Sequence, residues 1–128
     1  MKPIRSFTVT PSIPEKLVRL RDLAYNLRWS WDHETIGLFR RLDRDLWETS
    51  GHNPVRMLGT IEQDQLEAAA EDEGFLTHLK RVAQDFDLYV AGEDAWFRRK
   101  HAREQGLHMA YFSAEFGLTE CMSIFAGG

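Results

Sequence analysis

The sequence predicts a mainly α-helical protein, with a helical domain over residues 1–105 and the first strand of an incomplete α/β domain within 106–128. Up to about residue 105, apolar residues recur at three- and four-residue steps, as they do along one face of a helix. After Gly106 this periodicity stops. The run "LHMAYFS" that follows is short, apolar and bounded by turn residues, which is typical of a strand buried on both faces of a parallel sheet.

Composition and charge limit the classes of partner. The chain has 128 residues, of which 43% are hydrophobic, and this is enough for one buried core. Its formal charge of −4 argues against nucleic acids and anionic membranes, because phosphate groups are bound by clustered cations. The single cysteine, Cys121, excludes an internal disulfide. The sequence lacks a signal peptide and a membrane-spanning run of about 20 apolar residues, so we expect a cytoplasmic protein.

An extended segment over residues 5–10 is predicted to precede the first helix. Pro14 lies in the first turn of that helix, where a missing N–H costs nothing, and the helix is predicted to reach about Trp31. Asp32 is predicted to cap a second helix, because its carboxylate can accept hydrogen bonds from the free N–H groups of the first turn. The apolar residues of these two helices are Leu17, Leu20, Leu23, Ala24, Leu27, Trp31, Ile36, Phe39 and Leu42.

Further helices follow the short segment "DRDLWETSG". Asn53 is predicted to cap a brief helix with Pro54 at its first position. Thr60 and Gln63 have the spacing of a capping box for the next helix. Gly74 is predicted to separate that helix from a longer one. The apolar face of this longer helix comprises Phe75, Leu76, Leu79, Val82, Ala83, Phe86 and Val90, with Trp96 and Phe97 as its extension.

The tail after Gly106 holds the candidate binding groups. Gly127 and Gly128 are adjacent residues without Cβ, so they can bring backbone N–H groups close to an oxyanion, or they can form a tight turn. Glu115 and Glu120 are either an acid and base pair or hydrogen-bonding groups of a loop. The predicted strand has no partner strand in the sequence, so its backbone groups would stay unpaired.

Other polar groups favour structural roles. The five histidines lack the spacing of metal ligands, so no metal site is predicted. Cys121, Ser113 and Ser123 have no recognisable base and no nucleophile elbow. The basic run over residues 98–103 is assigned to a helix end, with an anion-binding patch as the alternative.

The aromatic cluster of the first helices has two interpretations. It comprises Trp29, Trp31, Phe39 and Trp47. Such rings can form a platform for sugars, but their helical spacing favours packing in the core.

Four segments, in order and in approximate spacing, resemble the N-terminal part of bacterial and archaeal α-glucan phosphorylases, the glycogen phosphorylase relatives. These segments are "LAYNLRWSWDHETIGLFRRLDRDLW", "GHNPVRML", "FLTHLKRV" and "AYFSAEFGLTECMSIFAGG". The resemblance extends from about Phe7 to Gly128.

This resemblance implies a pyridoxal 5′-phosphate enzyme with two Rossmann-like lobes. Such an enzyme transfers a glucosyl unit from an α-1,4-glucan to inorganic phosphate and gives glucose 1-phosphate. The resemblance places Gly127 and Gly128 in a loop facing the glucosyl and phosphate site, and Glu115 as a residue that shapes it. The lysine that holds the cofactor belongs to the C-terminal lobe, so we expect no catalytic residue in this chain and no activity from it alone. A homo-oligomer is compatible with this assignment.

Two alternatives stay open. Glycogen and starch synthases share the two-lobed architecture and also open with a strand, an acidic turn and a Gly-Gly loop, but they normally lack a long preceding helical region. The chain can also be a non-catalytic helical module for binding or assembly, with its apolar tail folded back onto the helices.

Overall fold

Short helices make up most of the chain. The computed structural model describes residues 10–93, 95–103, 106, 109–113 and 119–121. Within these ranges the α-helices are α1 Arg19–Tyr25, α2 His33–Leu42, α3 Arg44–Thr49, α4 Pro54–Thr60, α5 Gln63–Glu71, α6 Glu73–Ala91 and α7 Trp96–Lys100. Two 3₁₀ turns, Glu15–Leu17 and Leu27–Ser30, flank α1. The prediction of a mainly helical protein is confirmed for the described residues.

The prediction of one continuous helix from Pro14 to Trp31 is wrong. Asn26 leaves the helical conformation, with φ −103° and ψ 119°, and its side chain accepts a hydrogen bond of 3.0 Å from the Arg28 N–H. Asparagine competes with the helical hydrogen-bond ladder in this way, because its amide can bond to nearby backbone groups. The predicted apolar face does not continue past this break, since Leu27 is 40% exposed and Trp31 is 53% exposed.

Carboxylate and amide side chains cap four of the helices. The predicted caps Asp32 and Asn53 are confirmed, since they accept hydrogen bonds from the N–H groups of Thr35 at 3.2 Å and Arg56 at 3.0 Å. Asp43 caps α3 in the same way. Each such cap satisfies a backbone donor that the helix itself leaves free.

The capping box predicted from Thr60 and Gln63 is wrong. Thr60 is the last residue of α4, and its hydroxyl donates to the Arg56 carbonyl at 3.0 Å. The Gln63 amide instead pairs with the backbone of Ser12, accepting from its N–H at 2.9 Å and donating to its carbonyl at 3.1 Å. Gln63 thus ties the start of the described chain to α5, a contact that no local spacing indicates.

The boundary predicted at Gly74 lies instead at Asp72. This residue ends α5 and caps α6, accepting a hydrogen bond of 2.9 Å from the Phe75 N–H, while Gly74 lies in the first turn of α6. The Phe75 N–H, and after it the Arg41 guanidinium at 3.0 Å, hold the pKa of the Asp72 carboxyl below its usual value. A good cap therefore decides the boundary, and a glycine beside it does not.

The core lies where α1, α2 and α5 pack around α6. Its buried residues include Leu17, Leu20, Leu23, Trp29, Leu38, Phe39, Leu42, Trp47, Met57, Leu66, Phe75, Leu79 and Val82. The predicted apolar face of α6 is confirmed as far as Phe86, but Val90 is exposed, as are Leu88 and Tyr89 beside it. The C-terminal part of α6 extends beyond the core, and Trp96 is also exposed.

The predicted strand is not seen. Residues 109–113 form neither helix nor strand, and Met109, Tyr111 and Phe112 are exposed. A strand needs a partner for its N–H and C=O groups, and no strand is present among the described residues. The rest of the predicted strand, and residues 5–9 of the predicted extended segment, lie outside the described residues. None of the described helices is long and apolar enough to cross a bilayer.

Candidate functional site

A cleft of about 350 Å³ lies where the described tail returns to the helices. It is called the His52 cleft below, and the residues that line it are Trp29, Ser30, Ile36, Arg40, Trp47, Glu48, His52, Thr119 and Glu120. Most of these come from the second 3₁₀ turn and from α2 and α3, and Thr119 and Glu120 come from the tail. The cleft therefore joins parts of the chain that are far apart in sequence.

The end of α3 places His52 in this cleft. The N–H of His52 donates to the Trp47 carbonyl at 3.0 Å, and the N–H of Gly51 donates to the Glu48 carbonyl at 3.1 Å. These two bonds form a Schellman motif, in which the residue after the helix adopts a left-handed conformation. Gly51 has φ 71°, and His52 itself has φ 57°, which asparagine and histidine tolerate better than most residues.

The imidazole of His52 packs on the ring of Trp47. The two ring centroids are 5.4 Å apart and their planes differ by 28°. In a Schellman motif, the second residue after the C-cap often contacts the third residue from the end of the helix. His52 and Trp47 occupy these two positions. Trp47 is buried, with Trp29 edge-on at 6.1 Å and Phe39 stacked at 6.2 Å. The core thus holds the face on which the imidazole rests.

Both nitrogens of His52 meet carboxylates. Nε2 lies 2.8 Å from Glu48 Oε2, and Nδ1 lies 2.9 Å from Glu120 Oε2. An ionised carboxylate only accepts hydrogen bonds, so a ring that donates to both must be the imidazolium. The hydrogen bonds to Glu48 and then to Glu120 raise the pKa of His52 above its usual 6.5. The same bond from His52 lowers the pKa of Glu48 below its usual 4.5.

This chemistry is suited to holding two segments together. A cation with both nitrogens engaged is neither a free base nor a metal ligand. Among the described residues, no group of three histidine, cysteine or acidic side chains is placed to hold a metal ion. In the His52 cleft, a charged contact therefore joins the end of α3 to the tail.

The residues predicted for the binding site fall outside the part of the chain that the structure describes. This applies to Gly127, Gly128 and Glu115, so their predicted roles stay predictions. Glu120 is described, and its partner is His52. Cys121 is half-buried and packs against the core.

The aromatic cluster is core in three of its four members. Trp29, Phe39 and Trp47 are buried against one another, as predicted, so their faces are covered by protein. Trp31 is 53% exposed and does not belong to the core. The basic residues Arg98 to Lys100 end α7, which confirms their predicted place at a helix end.

The spacing of the histidines does not single out His52. Two signals in the sequence point to it: Glu48 precedes it by one helical turn, and it follows a glycine at a helix end. Its second partner, Glu120, is 68 residues away, and no pattern in the sequence indicates that pair.

Residues 13–122 match the family described as "Protein of unknown function (DUF3417)". The chain is 39% identical to a Mycobacterium tuberculosis protein named glycogen phosphorylase, over 100% of this chain and 15% of the relative. It is 28% identical to a maltodextrin phosphorylase of Thermococcus litoralis, over 94% of this chain and 14% of the relative. A glycogen phosphorylase of Aquifex aeolicus is 31% identical over 85% of this chain and 15% of the relative.

The chain spans about 15% of the length of the curated relatives that it matches. Their names confirm the predicted resemblance to bacterial and archaeal α-glucan phosphorylases. No solved structure matches the chain.

Proposed function

The chain belongs to the DUF3417 family, and we propose that it is the N-terminal part of an α-glucan phosphorylase. The observation that carries this proposal is the match over nearly the whole chain to relatives from three distant prokaryotes, each named a glycogen or maltodextrin phosphorylase. The helical domain that precedes the predicted strand also favours a phosphorylase over a synthase of the same architecture.

The proposed reaction is phosphorolysis of an α-1,4-glucan. The bond between the anomeric carbon and the glycosidic oxygen breaks, and a bond from that carbon to a phosphate oxygen forms with retained configuration. The proton given up by phosphate goes to the departing glucan oxygen, so the products are glucose 1-phosphate and a glucan shorter by one unit. Gly127, Gly128 and Glu115 are proposed to border the glucosyl and phosphate site.

We propose that pyridoxal 5′-phosphate is held elsewhere in the whole protein. A Schiff-base lysine is normally enclosed, which lowers its pKa. The described lysines 16, 80 and 100 are all exposed, and Lys16 is paired with Glu71 at 2.8 Å. These residues do not fit the cofactor, so no step of the reaction is assigned to them. The whole protein is proposed to be cytoplasmic, with glucan and phosphate rather than nucleic acid or membrane as its partners.

The test uses the full-length protein encoded by the gene. Purified with pyridoxal 5′-phosphate, it should release glucose 1-phosphate from glycogen or maltodextrin, and omission of phosphate should abolish the release. The 128-residue chain alone should release none. Absence of product from both glucans with the full-length protein would contradict the proposal. Phosphate-independent transfer from a nucleotide-activated glucose would instead identify a synthase.

A further inference from the structure

We propose that His52 is a positioning residue that holds the segment 119–121 on the helical domain, through hydrogen bonds from one imidazolium to Glu48 and Glu120. The segment of residues 119–121 is called the docked segment below. The proposal concerns a contact within the chain that needs neither cofactor nor substrate.

The His52 ring is positioned by contacts within its own helix end, without the docked segment. Its backbone is held by the Schellman motif at the end of α3, its face by Trp47, and its Nε2 by Glu48 at 2.8 Å. A receptor that is already ordered loses little further entropy on binding. Among the residues that the structure describes, Glu120 is the one hydrogen-bonding partner of the ring from outside this helix end, and its side chain is 80% exposed. The main entropic cost of docking is therefore the ordering of the exposed Glu120 side chain, because the His52 imidazolium that it binds is already held in place.

The docked segment meets the helical domain through more than its bond to His52. Thr119 lines the His52 cleft beside Glu120, and Cys121 packs against the core. Upstream, Met109, Tyr111 and Phe112 are exposed by 78% or more of their surface. The docked segment is thus an anchor for a tail in which Met109 and Phe112 are exposed.

The anchor has a consequence for the site that rests on the proposed function. Glu120 lies in the sequence between Glu115 and the pair Gly127 and Gly128. If these residues border the glucosyl and phosphate site, the His52 contact constrains where that loop can lie. His52 then acts on the reaction through Glu120 and without touching substrate.

The contact depends on pH in a defined direction. The pKa of His52 is raised above 6.5 in the docked state. The contact with Glu120 is therefore at full strength below pH 6.5 and weakens as the pH rises through the raised pKa. The lowered pKa of Glu48 keeps its carboxylate ionised, and its bond to the ring intact, to more acid pH. Among the described residues, the charged groups that face the ring are Glu48 and Glu120, with Arg40 lining the same cleft. Arg40 and Arg44 also favour the ionised form of Glu48.

Cys121 provides the measurement, because it is the single cysteine and is half-buried in the docked segment. The rate at which Cys121 reacts with a thiol reagent is divided by the rate for the urea-unfolded chain at the same pH. This normalised rate corrects for the increase in thiolate with pH. His52→Asn keeps a residue that tolerates positive φ and removes the ring. Glu120→Gln removes the charge of the partner. Glu71→Gln breaks the exposed pair with Lys16 and is the matched control.

His52→Asn and Glu120→Gln should each raise the normalised rate about two- to fivefold, since an exposed charged pair contributes modestly. The double variant should react no faster than the faster single one, because both changes remove the same contact. Glu71→Gln should match the wild type. The wild-type rate should rise as the pH increases through the raised pKa of His52, and that of His52→Asn should not. Equal rates for all variants, or additive effects in the double one, would overturn the proposal.

Two further measurements keep the proposal testable. If His52→Asn unfolds, nitrogen NMR of the wild-type imidazole near pH 6 decides the matter, since a ring with one unprotonated nitrogen would overturn it. In a full-length protein that carries out phosphorolysis, Glu120→Gln should lower kcat/KM about two- to fivefold and change its pH profile, with Glu71→Gln unaffected. If kcat/KM and its pH profile are both unchanged in Glu120→Gln, His52 has no positioning role in the reaction. The labelling and NMR results need no turnover, so they stand apart from the proposed function.

Discussion

At the scale of single residues, polar side chains at helix ends organise this protein. Asp32, Asp43, Asn53 and Asp72 each accept a hydrogen bond from a free N–H of the helix that follows. His52 acts at the opposite kind of end, where α3 stops. Its ring joins the helix to Glu120 in the tail. Most of these roles depend on neighbours within five residues, and for that reason the sequence indicates many of them.

Loss of the Asn53 cap tests this reading of the helix ends. Asn53→Ala should reduce the free energy of unfolding by about 1 kcal/mol, because the Arg56 N–H loses its acceptor. Glu62→Ala is the matched control, since Glu62 occupies the same position before α5 but makes no side-chain capping bond. Its effect should stay within about 0.5 kcal/mol. Urea unfolding curves measure both, and equal losses would show that the cap bond is not the cause.

At the scale of elements, α6 is the helix around which α1, α2 and α5 pack. Its first part buries Phe75, Leu79 and Val82, and its last turns leave Leu88 exposed. Arg28 connects the second 3₁₀ turn to those last turns, with its guanidinium 4.7 Å from the ring centre of Tyr89 and paired with Asp85. The same helix thus has a core half and a solvent-exposed half, although its apolar spacing is continuous.

Truncation of leucines in the two halves should separate them. Leu79→Ala should cost about 2–5 kcal/mol of unfolding free energy, since it removes buried methyl groups and leaves a cavity. Leu88→Ala, on the same helix but 72% exposed, should change it by less than about 0.5 kcal/mol. Guanidinium unfolding of both variants provides the comparison. A similar cost at both positions would mean that the end of α6 is covered in solution.

At the scale of the whole molecule, a helical domain carries a tail that it contacts at the His52 cleft. Residues 109–113 have no helix or strand and expose their aromatic rings, whereas Cys121 packs on the core. Strands of a parallel sheet are stable when partners flank them, and the described residues contain none. Under the proposed function, strands from elsewhere in a phosphorylase would pair with the predicted strand.

Hydrogen exchange tests this arrangement in the 128-residue chain. Backbone amides of Met109, Ala110 and Phe112 should exchange rapidly, because these residues are exposed and belong to no helix or strand. Amides of α2 and of residues 75–83 in α6 should exchange slowly, since their helices cover the core. Mass spectrometry of peptic fragments resolves the two classes. Strong protection across residues 109–113 would show that the tail packs on the helices, as the alternative of a non-catalytic module requires.

The fold was largely predictable, and the failures share a cause. Apolar spacing located the buried face of α6, and Asp32 and Asn53 marked two helix starts. Asn26 broke a helix because its side chain bonded to the backbone two residues on, a choice that the apolar spacing does not reveal. Gln63 does not form the predicted capping box, because its side chain bonds to Ser12, which lies 51 residues before it. Local competition and distant partners thus decided the points that pattern alone missed.

By itself, the sequence determined the helical class, the apolar face of α6 as far as Phe86, two of the caps and the resemblance to phosphorylases, because each depends on neighbouring residues or on ordered segments. Only the tertiary structure decided that His52 would meet Glu120 and that Trp31 would stay exposed. Such contacts depend on how helices are oriented as they pack. A pair 68 residues apart becomes neighbours only when the core brings their elements together.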